Sequence, residues 1–253
     1  MSESPIDKLR RFIDKSDAIV VFTGAGISTE SGISDYRSQG GVWERFQPVT
    51  IREFIADAGK RRLYWQRKLA LYEQNKDAGP NPGHLAVVEL ERRGKLLGLI
   101  TQNIDGLHQQ AGTSPDKILE IHGTNQEVIC LSCQEIWPWE HAYERLIKGE
   151  EAPVCEKCGG LLKPNTISFG QSLNAAVLNR SFALAEECDF MLVLGSSLVV
   201  EPAASIPRVA KQGNSGAWLA IITQSATPLD GLADLKIAAS IGETLSAALV
   251  APS

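Results

Sequence analysis

Three groups of residues have types and spacing suited to chemistry. The first is the polar run Thr-Gln-Asn-Ile-Asp-Gly-Leu-His at 101–108, directly after an apolar segment. Gln102, Asn103 and Asp105 can hydrogen-bond sugar hydroxyls or a carboxamide. A self-satisfied turn is the competing reading, because Asp-Gly is a turn dipeptide. His122 also ends an apolar run and is followed by Gly123, which leaves room beside the ring. An imidazole titrates near neutrality, so His122 is the natural general base. His84, His108 and His141 lack that placement.

The second group is a cysteine tetrad. Cys130/Cys133 and Cys155/Cys158 form two Cys-x-x-Cys pairs separated by residues 134–154. Two such knuckles bring four thiolates to one tetrahedral metal, and zinc is the metal they suit. The separation is slightly longer than usual for the pattern. Paired disulfides are the alternative and need an oxidising compartment, to which nothing in the sequence points. Four thiolates leave no coordination position for water, so this zinc is expected to be structural, with the chemistry at His122.

The third group is Thr-Gly-Ala-Gly-Ile-Ser at 23–28, again after an apolar run. Glycines here permit a tight turn and close approach of backbone N–H groups to a pyrophosphate. Gly24-x-Gly26 lacks a third glycine, so it is not the dehydrogenase fingerprint, and a turn without ligand is its bland reading. Asp35 and Arg37 follow within reach of a nucleotide bound there.

Elements must hold these groups. Residues 18–22, 96–100, 118–121, 190–194 and 218–222 are short and near-continuously apolar, as strands buried on both faces of a parallel sheet are. Helix patterns fall at 6–15, 84–93, 175–187 and 206–213, with Asn174 placed to cap the third. The alternation predicts an α/β fold: a Rossmann-like parallel sheet with a smaller inserted domain. The sheet domain is expected from 1–39, 81–124 and 168–253. Residues 40–80 are read as a helical module and 125–167 as a zinc ribbon, together forming the small domain.

Composition sets limits. The 253 residues are 43% hydrophobic and 22% charged, as in an ordinary globular protein. Net charge is −5, from 25 basic and 30 acidic residues, so no direct nucleic-acid binding is expected. No apolar run reaches the roughly 18 residues of a membrane helix. The opening residues carry charge and no apolar leader core, and a cytoplasmic location is expected.

Taken in order, these motifs resemble the sirtuins, the NAD-dependent protein deacylases. The resemblance rests on Gly-Ala-Gly-Ile-Ser at 24–28, Ser-Gly-Ile-Ser-Asp-Tyr-Arg at 31–37, the run at 101–108 and His122-Gly123. The cysteine tetrad, Ser-Phe-Gly at 168–170 and Gly-Ser-Ser-Leu-Val-Val at 195–200 complete it. Segments 62–67 and 162–174 look most like the class II, bacterial-type branch. The resemblance implies removal of acyl groups from protein lysine, releasing nicotinamide and O-acyl-ADP-ribose. Protein ADP-ribosylation on the same fold is the alternative, and a zinc-ribbon binding module without catalysis is the rival from another class.

It further implies His122, Asn103 and Asp105 as catalytic residues, and Gly24, Ala25 and Gly26 near the NAD phosphates. Gln102, Asn103, Ile104 and Asp105 would surround nicotinamide and its ribose. Gly195, Ser196 and Ser197 would contact the adenosine side, with Ser28, Asp35, Tyr36, Arg37, Thr223 and Ile241 as further cofactor contacts. An acyl-lysine peptide would pair between 168–171 and 198–201, against Phe169, Gly170 and Val199. The sequence departs from the family at Tyr36, commonly Phe, and at Thr223, commonly Asn. Tyr64 and Arg67 have the Tyr-x-x-Arg spacing that binds acidic acyl groups in one branch, here within a class II context.

Overall fold

The apolar runs become the strands of a parallel sheet because both of their faces are covered. In the computed structural model, which describes residues 3–36, 40–213 and 216–250, the elements run as follows. Helix α1 (Pro5–Lys15) leads to β1 (Ile19–Thr23), then α2 (Val42–Arg45), α3 (Ile51–Ala56), α4 (Ala58–Asn75) and α5 (Pro82–Arg92). Next come β2 (Leu96–Thr101), α6 (Leu107–Ala111), β3 (Ile118–Glu120), β4 (Gly123–Cys130), β5 (Ile136–Pro138), α7 (Trp139–Ile147) and β6 (Leu162–Thr166). The chain closes with α8 (Ala175–Glu187), β7 (Phe190–Leu194), α9 (Ile206–Gln212), β8 (Trp218–Ile222), β9 (Leu235–Ile237) and α10 (Ile241–Leu249).

Six parallel strands lie in the order β3-β2-β1-β7-β8-β9. Successive side chains of a strand point to opposite faces. Ile19 and Val21 of β1 accordingly pack in one apolar layer with Leu9, Phe12, Val87, Leu90 and Leu245 from α1, α5 and α10. Val20 and Phe22 pack in the other, with Leu184 and Ala185 of α8 and Ile206 and Ala210 of α9. The order reverses between β1 and β7. The connections from those two strands therefore return over opposite faces of the sheet, through α5 and α9, and a crevice opens at the carboxyl ends.

A separate antiparallel sheet has the order β5-β4-β6. Its core joins Phe54, Tyr64 and Trp65 of α3 and α4 to Val128, Trp139, Leu146, Leu162 and two of the cysteines, Cys130 and Cys155. The segments at 40–80 and 125–167 thus share one apolar cluster. Trp65 is fully buried, with its ring 6.1 Å from Trp139. Helix α3 is held at its start by a capping box, in which Thr50 Oγ1 accepts from Glu53 N and Glu53 Oε2 accepts from Thr50 N.

Sequence patterns place β1, β2, β7, β8 and helices α1, α5, α8 and α9 within a residue or two, but not α6 or α10. They give no sign of β9, which is only three residues long. Helix α10 did carry a signal: Ser240 precedes it, and its hydroxyl accepts from Glu243 N. No helix among the described residues is long and apolar enough to cross a membrane.

Candidate active site

The loop after β1 and the loop after β7 cross with backbone against backbone. Gly26 N donates to Gly195 O at 2.9 Å, and Gly24 N donates to Leu194 O at 3.0 Å. A Cβ on Gly24 would lie 2.8 Å from Ser196 Cα, and one on Gly26 would lie 2.7 Å from Gly195 Cα. Gly195 has φ +65, and its Cβ would stand 2.3 Å from Ile27 N. The two sequence glycines are therefore required by the crossing itself, a reason the sequence reading, which assigned them to anion approach, did not contain.

Around this crossing lies a cavity of ≈ 1140 Å³ at the carboxyl ends of β1, β2, β7 and β8. Gly24, Ala25, Gly26, Asp35, Tyr36, Gln102, Asn103, Ile104 and His122 line it, as do Phe169, Gly170, Gly195, Ser196, Ser197, Thr223 and Ile241. Val199 is not on the wall. It is exposed between Ser197 and Val200, which are. Arg37 lies outside the described residues.

Ser28 and Asp105 also stand off the wall, one layer behind it. Asn103 Nδ2 donates to Ser28 Oγ at 3.1 Å, and Ser28 Oγ donates to Asp105 Oδ2 at 2.7 Å. Asp105 Oδ1 accepts from Leu107 N. In this arrangement Ser28 and Asp105 fix Asn103, which is itself nearly buried.

A buried chain supports the same loop from below. Thr23 Oγ1 donates to Thr101 Oγ1 at 2.8 Å, and Asn103 N donates to that same hydroxyl at 3.0 Å. His108 Nε2 lies 3.2 Å from Thr23 Oγ1. Because the Thr23 hydroxyl proton is given to Thr101, the Thr23 contact places a proton on His108 Nε2. Burial, with His84 beside it, pushes the His108 pKa down to about 3. Burial likewise lowers His84, whose ring centroid is 4.8 Å away. Both histidines are structural and neutral.

His122 follows β3 and precedes β4. Its Nδ1 lies 3.2 Å from the Gln102 carbonyl, which can only accept, so Nδ1 carries the proton and Nε2 is the basic nitrogen. Gln102 is fixed in turn by Ser196 Oγ, which donates to its Oε1 at 2.7 Å. The sequence reading took Gly123 as leaving room beside the imidazole. The structure gives another reason: Gly123 has φ +74, and a Cβ there would lie 2.1 Å from Asn165 O.

An aromatic wall joins the two ends of the cavity. The Trp43 ring lies 5.6 Å from Tyr36 and 5.5 Å from Phe169. Burial, together with the Asp105 charge, raises the Tyr36 phenol to about 12, so it stays protonated. At the strained exit from β7, Leu198 adopts φ 53, a conformation costing an ordinary residue roughly 1–2 kcal/mol.

The sequence reading named Tyr64 and Arg67 by their spacing but missed Lys68 and the far rim. Tyr64, Arg67 and Lys68 of α4 line the cavity. Arg67 is tied to the Gln47 carbonyl and lies 5.3 Å over the Phe46 ring. At the rim, Glu30 Oε1 accepts from Ile241 N at 2.8 Å, locking the start of α10 onto the first loop. Glu30 is an acid directly beyond a glycine loop, a pattern too common to single it out.

The four cysteine sulfurs lie within 4.8 Å of one another, and no disulfide joins them. Cys130 Sγ to Cys158 Sγ is 3.6 Å and Cys133 Sγ to Cys155 Sγ is 3.7 Å. A tetrahedron with Zn–S of about 2.3 Å has edges of about 3.8 Å, so the tetrad fits structural zinc. The fifth cysteine, Cys188, is buried and its thiol is pushed up to about 12 by that burial.

The sequence pattern of the Sir2 family matches residues 24–202, which contain the glycine crossing, the polar run, His122 and the tetrad. The chain belongs to the Sir2 family. It is 45% identical over 240 residues to an NAD-dependent protein deacetylase of Thermodesulfovibrio yellowstonii, covering 95% of this chain and 92% of that protein. It is 40% identical over 244 residues to NAD-dependent protein deacylase 2 of Archaeoglobus fulgidus, covering 96% and 94%. Its fold superposes on a structure solved for the mechanism and regulation of Sir2 enzymes with a TM-score of 0.87, at 39% identity over 98% and 97% of the chains. A Sir2 variant captured with a deacetylated p53 peptide and 3′-O-acetyl-ADP-ribose gives a TM-score of 0.85 at 32% identity over 96% of each chain. The matched region thus contains the glycine crossing, most of the cavity wall and the cysteine tetrad.

Proposed function

We propose that this Sir2 protein removes acyl groups from protein lysine with consumption of NAD and one water, yielding nicotinamide, O-acyl-ADP-ribose and free lysine. One observation carries the reading. The glycine crossing, Asn103 held from behind by Ser28 and Asp105, and the Nδ1-protonated His122 face a single cavity whose lip is Phe169 and Gly170.

NAD supplies the electrophilic ribose carbon that accepts the acyl oxygen as nicotinamide leaves. The rest falls to the chain's own residues. Gly24, Ala25, Gly26, Asp35, Tyr36, Gly195, Ser196, Ser197, Thr223 and Ile241 form the cofactor wall. Gln102, Asn103 and Ile104 lie beside the reacting end, with Ser28 and Asp105 holding Asn103 in place. His122 Nε2 takes a proton from a ribose hydroxyl. The Gln102 carbonyl keeps the other nitrogen protonated, so the imidazolium that forms retains its hydrogen bond. The acyl-lysine peptide enters over Phe169, Gly170 and Val199 as an added strand, and Tyr36, Trp43 and Phe169 keep water from the reacting centre.

The segmental division is part of the same proposal. Residues 1–39, 81–124 and 168–253 make the NAD-binding domain, while 40–80 and 125–167 make the small domain that closes over the cleft. In support, strand β4 runs from Gly123, next to His122, to the first metal ligand, Cys130.

The test is release of nicotinamide from NAD with a panel of acyl-lysine peptides. Release is expected only when both substrates are present. No release with short, long or lipoyl-type acyl chains overturns the reading.

A further inference from the structure

Two lysines stand apart from the rest of the chain. Lys68 of α4 and Lys163 of β6 lie over the same Tyr64 ring, at 5.7 and 5.8 Å from its centroid. Neither makes an ion pair among the described residues, and neither has a carboxylate beside it as Lys76, Lys157, Lys211 and Lys236 do, though the exposed Lys15 and Lys148 likewise make none. Their accessibility differs sharply. Lys163 is 1% exposed and spends its donors on the Pro164 carbonyl and on Thr166. Lys68 is partly exposed, lines the cavity, and gives one hydrogen bond, to Asn125 Oδ1 at 3.0 Å.

An amine in that position has no task in the proposed mechanism. It sits on the wall of the ≈ 1140 Å³ cavity, beside an amide that stabilises its charge only weakly. We propose that Lys68 is a site of covalent acylation by small acyl thioesters entering this cavity. The neutral Lys68 Nζ attacks the thioester carbonyl carbon, the new N–C bond forms and the C–S bond breaks. The thiolate leaves and takes up the proton lost from nitrogen, with no change of oxidation state. The product amide carries no charge and places its chain inside the cavity, which blocks it.

Burial supports the chemistry, since it lowers the Lys68 pKa to about 8. The titratable groups facing it are Tyr64 on its own helix and Lys163 across the ring, and the latter adds repulsion that disfavours two ammonium ions together. At pH 7.5 the neutral fraction of such an amine exceeds that of an ordinary lysine by roughly 200-fold. Its weaker intrinsic nucleophilicity returns part of that advantage, leaving a rate on the order of tenfold above exposed lysines. Lys163, with a pKa lowered to about 7, serves as an internal control because the cavity does not reach it.

The experiment treats the full chain with an S-acyl-N-acetylcysteamine thioester across pH 6.5–9.5 and quantifies each lysine by peptide mass spectrometry. Lys68 is expected to be acylated about tenfold faster than the exposed Lys15 and Lys148, with a rate midpoint near pH 8, and Lys163 is expected to stay unmodified. Filling the cavity with NAD and an acyl-lysine peptide is expected to protect Lys68 alone. Acylation of Lys68 no faster than Lys15, or equal with and without the fill, overturns the proposal. The modification does not rest on the deacylase reading, so the mass measurement stands even if no peptide is turned over. Its consequence does rest on that reading: nicotinamide release should fall in step with Lys68 occupancy, and Lys68→Arg should be insensitive to the thioester. Loss of activity in step with another residue's modification refutes that consequence while leaving the deacylase reading intact.

Discussion

The six-stranded sheet and the three-stranded sheet each hold part of one cavity, by different physical means. The parallel sheet is covered on both faces by two apolar layers, and its strands are nearly all buried. It can hold tight backbone crossings and a left-handed Leu198 because its core over-determines them. The antiparallel sheet has a small core, rich in aromatics, with two of the tetrad cysteines inside it. A layer of that size needs a staple, and the tetrad is placed to supply it. His122 sits at the junction, positioned by a carbonyl of the first region and continuous with a strand of the second.

Removing the metal should therefore have the largest effect and should divide the two regions. Apparent zinc affinity in structural sites is on the order of 10–16 kcal/mol. A strong chelator, or Cys155→Ser, is expected to abolish nicotinamide release and the near-UV signal of the Trp65–Trp139 pair. Far-UV signal from the large sheet should survive. Simultaneous loss of both signals would show one cooperative unit and break the comparison.

Glycine substitutions sharpen it within the large sheet. Gly195→Ala places a Cβ against Ile27 N and is expected to cost more than about 4 kcal/mol. Gly112→Ala, at φ +103 with open space around it, should cost about 1–2 kcal/mol. Urea unfolding measures both, and equal costs would mean the crossing can yield.

Acid sensitivity should also map to the large sheet. His108 has its folded pKa pushed from 6.5 to about 3, so the unfolded chain binds its proton first. Stability is then full above pH 6.5 and is lost progressively as pH falls toward 3. Between pH 7 and pH 5 this residue accounts for a loss of about 2 kcal/mol. Denaturant titration at the two values should show a smaller fall in His108→Asn, and an unchanged fall contradicts the assignment. The smallest effect is local to the other region: Thr50→Ala removes the capping box of α3 and should cost about 1 kcal/mol by thermal melting.

The large sheet was legible because strands buried on both faces read as continuous apolar runs, and the tetrad because thiolate spacing limits what can bind. The polar run at 101–108 was legible as a site but not in its layers. Whether Asn103 or Asp105 faces the cavity depends on Ser28, which lies 77 residues from Asp105 in the chain. Arg67 was legible through its spacing from Tyr64, whereas Lys68 was hidden because a basic residue on a helix usually means a solvated face. Thr223 and Ile241 come to the cavity only through strand order.

By itself the sequence determined the element types of the parallel sheet and the metal-binding tetrad, and it singled out His122, which the structure places on the cavity, because each is encoded by local periodicity or by residue chemistry at short spacing. Tertiary structure decided the rest. It set which histidine nitrogen holds the proton, why Gly24, Gly26, Gly123 and Gly195 admit no side chain, and that Arg67 and Lys68 line the cavity while Lys163 does not. These depend on distances between segments far apart in the chain, and no local pattern records such distances.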